Sequence, residues 1–104
     1  MEAIANTTGE LMNQALIIDV RSPQEFAGGH VKGAINVPHN RVLETIRNIE
    51  GLRETTPILV YCQSGVRAAS VCAILNQHGF KSVTNCGSLT TLLMNYQSAL
   101  AQAA

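Results

Sequence analysis

Ile58-Leu59-Val60-Tyr61-Cys62-Gln63-Ser64-Gly65-Val66-Arg67 is the stretch from which the fold can be read. Its first four residues follow Pro57 as a continuous apolar run rich in branched side chains, the pattern of a strand covered on both faces. Downstream, over residues 67–78, Val71, Ile74, Leu75 and His78 recur on one helical face, Ala68 and Ala69 keep the helix slim, and Gly79 suits a left-handed stop. A buried strand therefore passes into a helix through a short Gly-containing turn, with Cys62 where the strand ends.

The same alternation extends outward. Leu16-Ile17-Ile18-Asp19-Val20 reads as a second buried strand interrupted by one acid. Ser22-Pro23-Gln24-Glu25 places a capping hydroxyl, a proline at the first helical position and a glutamate three residues after the cap, so a short helix should carry Glu25 and Phe26 and end at Gly28-Gly29. Ala34-Ile35-Asn36-Val37 reads as a strand stopped by Pro38. From Arg41, the spacing of Val42, Leu43, Ile46 and Ile49 predicts an amphipathic helix with Arg41, Glu44, Arg47 and Glu50 on its wet side. Residues 82–85 read as a further strand, and Leu89, Leu92, Leu93, Tyr96 and Leu100 mark a last helix running into an Ala/Gln tail. At the other end, Thr7 and Glu10 have capping-box spacing, which predicts a short helix over 8–13. Strands alternating with helices indicate an α/β fold: one domain over 1–104 with frayed ends, and a mostly parallel sheet of about four or five short strands with helices on both faces.

Composition narrows the function classes. The 104 residues suffice for one modest core, and seven acidic against seven basic side chains leave no net field to steer nucleic acid or an anionic membrane. The apolar runs fall far short of the ~20 residues of a spanning helix, and no basic-then-apolar leader is present. A cytoplasmic location is expected, or a periplasmic one if a leader has been removed. The three cysteines include no CxxC pair, which argues against a disulfide framework and a compact zinc site, and leaves at least one free thiol.

Cys62 is the thiol placed for chemistry. It should sit over a helix N-terminus, where converging backbone N–H groups, the helix dipole and Arg67 favour a thiolate and would equally hold a persulfide anion. Gly65 fits a turn position with unusual backbone angles, and no bulky charged side chain between Cys62 and Arg67 fills the space a small anion would need. Cys72, within a helix, and Cys86, beside a Gly turn, lack a cationic neighbour in sequence and read as structural. Cys86 is the better candidate for a resolving thiol, because its strand end should face the same sheet edge.

On these residues the chain resembles the rhodanese-homology family, in particular its small single-domain sulfurtransferases. Asp19-Val20-Arg21, then Glu25-Phe26, then the run from Gly29 to Pro38 resemble the family's first signature. Cys62-Gln63-Ser64-Gly65-Val66-Arg67 resembles its active-site loop, and Arg67-Ala68-Ala69, Leu75, Gly79, Phe80, Val83, Asn85 and Gly87 resemble its downstream helix and strand. The family's next glycine is Ser88 here, and an aromatic often found soon after is absent. The resemblance implies that Cys62 takes the outer sulfur of thiosulfate or another small anionic donor and passes it to cyanide or a thiol, with no metal or organic cofactor. Arg67 and the N–H groups of Gln63, Ser64, Gly65 and Val66 would stabilise the anion. Asp19, Arg21, Glu25 and His30 are expected to organise the surrounding loops by hydrogen bonds rather than react.

Other readings of the same residues rank lower. A cysteine phosphatase usually places one more residue between Cys and Arg, and Tyr61 stands where such enzymes carry a His, so phosphatase or arsenate reductase activity is set well below sulfur transfer. A regulatory domain without catalysis usually lacks the cysteine. A persulfide carrier fed by a protein partner would use the same Cys62 and remains open. His39 and His78 read as surface or helix-end residues. Arg41 and Arg47 read as the wet face of a helix, with at most a minor role in attracting anions.

Overall fold

The computed structural model describes residues 15–95. The helix expected over 8–13 and the part of the last helix beyond 95 lie outside them. The elements run β1 (Leu16–Asp19), α1 (Pro23–Ala27), β2 (Ile35–Asn36), a 3-10 turn (His39–Arg41), α2 (Val42–Ile46), β3 (Ile58–Cys62), α3 (Val66–Gln77), β4 (Val83–Ser88) and α4 (Leu89–Asn95). The four strands form one wholly parallel sheet in the order β2-β1-β3-β4. Parallel neighbours need crossovers, and each crossover covers a face with helix or ordered turn, which is why β3 is apolar throughout and β1 is apolar up to the buried Asp19 at its end.

Strand periodicity divides the core in two. Ile18, Val20, Ile58, Val60 and Cys62 meet Val42 and Ile46 of α2 and Ala68, Val71 and Leu75 of α3 on one face. Ile17, Leu59 and Tyr61 meet Val31, Ala34 and Leu92 on the other. Each large aliphatic side chain buried in this way contributes roughly 1.5–3 kcal/mol.

Local signals form as the sequence dictates. Ser22 Oγ accepts from Glu25 N–H at 3.2 Å while a Glu25 oxygen accepts from Ser22 N–H at 2.9 Å, closing a capping box on α1. Gly79, at φ 95°, ends α3 with two reversed bonds, Phe80 N–H to Leu75 O at 3.1 Å and Gly79 N–H to Asn76 O at 3.2 Å. That is a Schellman stop, and it returns Phe80 to the core. Gly79→Ala is expected to lower stability by about 1 kcal/mol, because a Cβ is strained at this φ. The new methyl meets only the flexible end of Glu54, at 3.0 Å. Urea unfolding should show a lower midpoint with an unchanged slope, and an unmoved midpoint would refute the strain argument.

Three expectations are corrected. The helix from Arg41 is a 3-10 turn followed by only five α residues, although the burial of Val42 and Ile46 keeps the expected face. His78 is exposed at the end of α3, as its reading as a helix-end residue expected, but it leaves the apolar stripe, with Nδ1 2.9 Å from Ile74 O, because the Schellman turn gives the apolar position to Phe80. The last strand extends to Ser88: after a register shift between Val60 and Cys62 the chain rejoins β3 with Ser88 opposite Cys62, and Gly87 at φ 83° takes up the irregularity. No helix among the described residues is long and apolar enough to cross a membrane.

Candidate active site

The order of the sheet reverses between β1 and β3, and ligands of such sheets bind beyond the carboxyl ends of the strands at that crevice. Cys62, the last residue of β3, lies there. Gly65, at φ 96°, turns the chain into α3 and is its N-cap, a position with no side chain to satisfy the helix's first N–H groups. The cysteine sulfur takes over the cap's role from three residues upstream: Cys62 Sγ accepts from Gly65 N–H at 2.9 Å and from Ala68 N–H at 3.4 Å.

In the resting thiol the amides on Sγ are only partly those expected around a bound anion. Only Gly65 of the expected four loop amides reaches Sγ. Its partner is Ala68, since a capping acceptor meets the N–H three residues into the helix. Among the described residues the N–H groups of Gln63, Ser64, Val66 and Arg67 have no protein acceptor. Cys62 is also 0% exposed and belongs to the core cluster that includes Ala68, Val71 and Leu75 of α3. Gln63, Ser64 and Val66 are exposed, Val66 at 72%.

Two ion pairs hold the loop. Asp19 and Arg21, 0% and 4% exposed, form a bidentate pair: Nε donates to Oδ1 at 2.9 Å and Nη2 to Oδ2 at 2.7 Å. Arg21 also donates to Gly29 O at 2.7 Å and to Gln63 Oε1 at 3.2 Å, and its guanidinium lies 5.8 Å from the Tyr61 ring centroid. The buried pair thus ties the first loop residue to β1. The second pair joins Arg67 to Glu25, Nη1 to Oε1 at 2.9 Å and Nη2 to Oε2 at 3.1 Å, with both side chains about a third exposed. The Arg67 fork, with help from the Ser22 backbone, holds the Glu25 carboxyl down to about 2. Arg67 is raised above its ordinary value chiefly by Glu25, with a smaller contribution from the field of Cys62.

The structure therefore brings together Cys62, Gln63, Gly65, Arg67, Asp19, Arg21 and Glu25. His30 stands apart in a structural role, stacked on Phe26 at 3.6 Å between ring centroids with Nδ1 2.9 Å from Phe26 O. Several supporting residues escaped the sequence reading. Tyr61 is fully buried and its hydroxyl accepts from Val31 N–H at 3.0 Å. Asn36 Nδ2 donates to Asp19 O at 3.0 Å and Arg21 O at 2.9 Å. Asn85 Oδ1 accepts from Gly87 N–H at 2.8 Å, an Asx turn that sets Gly87 under Gly65, where a Cβ on Gly65 would lie 3.5 Å from Gly87 Cα. An Asn two residues before a Gly was the available signal for this turn. Ser88, where the sequence departs from the resemblance, caps α4, its Oγ accepting from Thr91 N–H at 3.0 Å.

Neither other cysteine joins the site. Burial pushes Cys72 up to about 11 and also raises Cys86, so both stay thiols at neutral pH. Cys86 packs in the cluster opposite that of Cys62, so the structure does not bring the two together as the shared strand edge suggested. A cavity of 390 Å³ lies between the His39–Arg47 segment and Ile74 and is not lined by the loop.

The comparisons agree with this geometry. A family model described as "Rhodanese-like domain" matches residues 5–88. Thiosulfate sulfurtransferase PspE of Escherichia coli is 36% identical over 77 residues, covering 74% of this chain and 73% of that protein. The tRNA uridine(34) hydroxylase of Chlamydia muridarum is 35% identical over 80 residues, covering 68% of this chain but only 23% of that larger protein. A solved rhodanese from E. coli with bound anions has a TM-score of 0.74 at 30% identity, covering 86% of this chain and 96% of that one. The chain spans 55% to 73% of the length of the shorter curated relatives it matches. With the parallel sheet, the strand-end cysteine capping a helix and the matched residues in agreement, the chain belongs to the rhodanese-like domain family.

Proposed function

We propose that this chain is a sulfurtransferase that moves sulfane sulfur from thiosulfate or a similar donor to a thiol or cyanide through a persulfide on Cys62. One observation carries the reading: Sγ of Cys62 accepts two N–H bonds at the start of α3, beside the N–H groups of Gln63, Ser64, Val66 and Arg67, which have no protein acceptor among the described residues. Dipoles fixed in this way stabilise negative charge on sulfur without a proton acceptor. The Cys62 thiolate attacks the outer sulfur of thiosulfate, the new S–S bond forms as the old one breaks, and sulfite leaves with the electron pair. An acceptor thiolate or cyanide then attacks that outer sulfur, and Cys62 departs as a thiolate again. No net oxidant is consumed. The outer sulfur would extend among the amides of Gln63, Ser64, Val66 and Arg67, while Arg67 faces the loop from its fork on Glu25. The name of the E. coli relative PspE supports the donor class.

A second reading, a carrier loaded by a protein partner, is favoured by the exposed apolar Val66 on the loop rim. Both readings share the same first test. Incubation with excess thiosulfate is expected to add one sulfur, about 32 Da, recovered on the Cys62 peptide and removed by cyanide as thiocyanate. No gain in mass would remove thiosulfate as a donor, and a gain confined to the Cys72 or Cys86 peptides would remove Cys62 as the carrier.

A further inference from the structure

Both guanidinium groups that hold the Cys62 loop are paired with carboxylates. Arg21 is taken up by buried Asp19, and Arg67, the loop's only guanidinium, is held in both arms by Glu25. Glu25 is fixed in turn: its Oε1 also accepts from Ser22 N–H at 2.9 Å within the α1 capping box. An anion that pulled Arg67 from its fork would therefore face a carboxylate that cannot swing away. Within the loop itself, what remains to attract an anion is the N–H dipoles of the loop and the start of α3, equivalent to about half a charge.

We propose that Glu25 is a specificity-determining residue: by neutralising Arg67 beside Cys62, it makes the loop favour sulfane-sulfur donors of low charge, alkyl persulfides, over the thiosulfate dianion. This rests on the sulfur-transfer reading above and narrows its donor class. With thiosulfate, a thiolate and a dianion must meet over a side-chain pair of zero net charge, and sulfite leaves with the bonding pair. With an alkyl persulfide, RS–SH, the Cys62 thiolate attacks the outer sulfur, which stays on Cys62 with its proton, and RS⁻ leaves with the bonding pair. The incoming charge is lower by one or two units, and the dipoles alone suffice to hold it.

The test compares loading rates of the full chain and its Glu25→Gln variant with thiosulfate, with 2-hydroxyethyl persulfide, and with iodoacetamide as an uncharged probe of Cys62. Glutamine serves a capping box as glutamate does, so α1 keeps its start. Glu25→Gln is expected to raise the thiosulfate rate about tenfold, the persulfide rate by no more than about threefold, and the iodoacetamide rate less than either. With the unaltered protein, added salt should speed loading from thiosulfate and barely change loading from the persulfide, as for reactants of like charge. Equal changes for both donors in the variant, a fall for both, or thiosulfate loading that slows as salt is added would each overturn the assignment of Glu25. Absence of loading from every donor in the unaltered protein would instead overturn sulfur transfer itself.

Discussion

Cys62→Ser is expected to reduce sulfur uptake from thiosulfate by at least ~10³-fold, to the background of the mass measurement. A hydroxyl at neutral pH supplies almost no anion, and an oxygen–sulfur link would not survive as a carrier. The fold should be nearly unaffected, because Ser Oγ can accept the N–H bonds that Gly65 and Ala68 now give to Sγ at 2.9 and 3.4 Å, and so still caps α3. A melting temperature close to that of the unaltered protein would separate lost chemistry from lost structure. Cys72→Ala and Cys86→Ala should keep their uptake, since burial holds both groups as thiols. If the serine protein gained sulfur at the original rate, Cys62 would not be the carrier.

Arg21→Ala is expected to cost about 3–5 kcal/mol, a large part of the ~5–15 kcal/mol that holds a domain of this size together. The change leaves Asp19, 0% exposed, as a buried carboxylate without its cation, and removes the donors to Gly29 O and Gln63. Urea unfolding should show a midpoint shifted far toward zero. Replacing the pair together, Asp19→Leu with Arg21→Met, should restore much of that stability, because the penalty comes from the unpaired charge rather than from loss of a net attraction. Sulfur loading in the double variant should stay slow, since Gln63 has still lost the guanidinium that ties the loop to β1. A single variant that loses less than about 1 kcal/mol would show that this buried edge does not depend on the Asp19–Arg21 pair.

Features legible in the sequence are those whose causes lie within a few residues. Branched apolar runs give β1 and β3 their faces, Ser22 and Glu25 close the α1 cap, Gly79 stops α3, and the passage from β3 through Gly65 into α3 places Cys62 at a helix start. Less was legible where neighbours far along the chain compete. The segment from Arg41 has the right apolar spacing but gives only five α residues. The last strand crosses Gly87, which reads as a turn until pairing with β3 is available.

The sequence by itself determined that this is an α/β rhodanese-like chain with a cysteine at position 62 where a strand passes into a helix, because hydrophobic period, capping and turn chemistry are local. Only the folded structure decided that Ala68 joins Gly65 on that sulfur, that Cys62 is covered, and that Cys86 lies in the opposite cluster. It also set Glu25 on Arg67 and Arg21 on Gln63, each pair 42 residues apart in the chain. Such pairings depend on which loops meet at the carboxyl edge once β1 and β3 lie side by side, and charge compensation between them is a property of that meeting rather than of either segment.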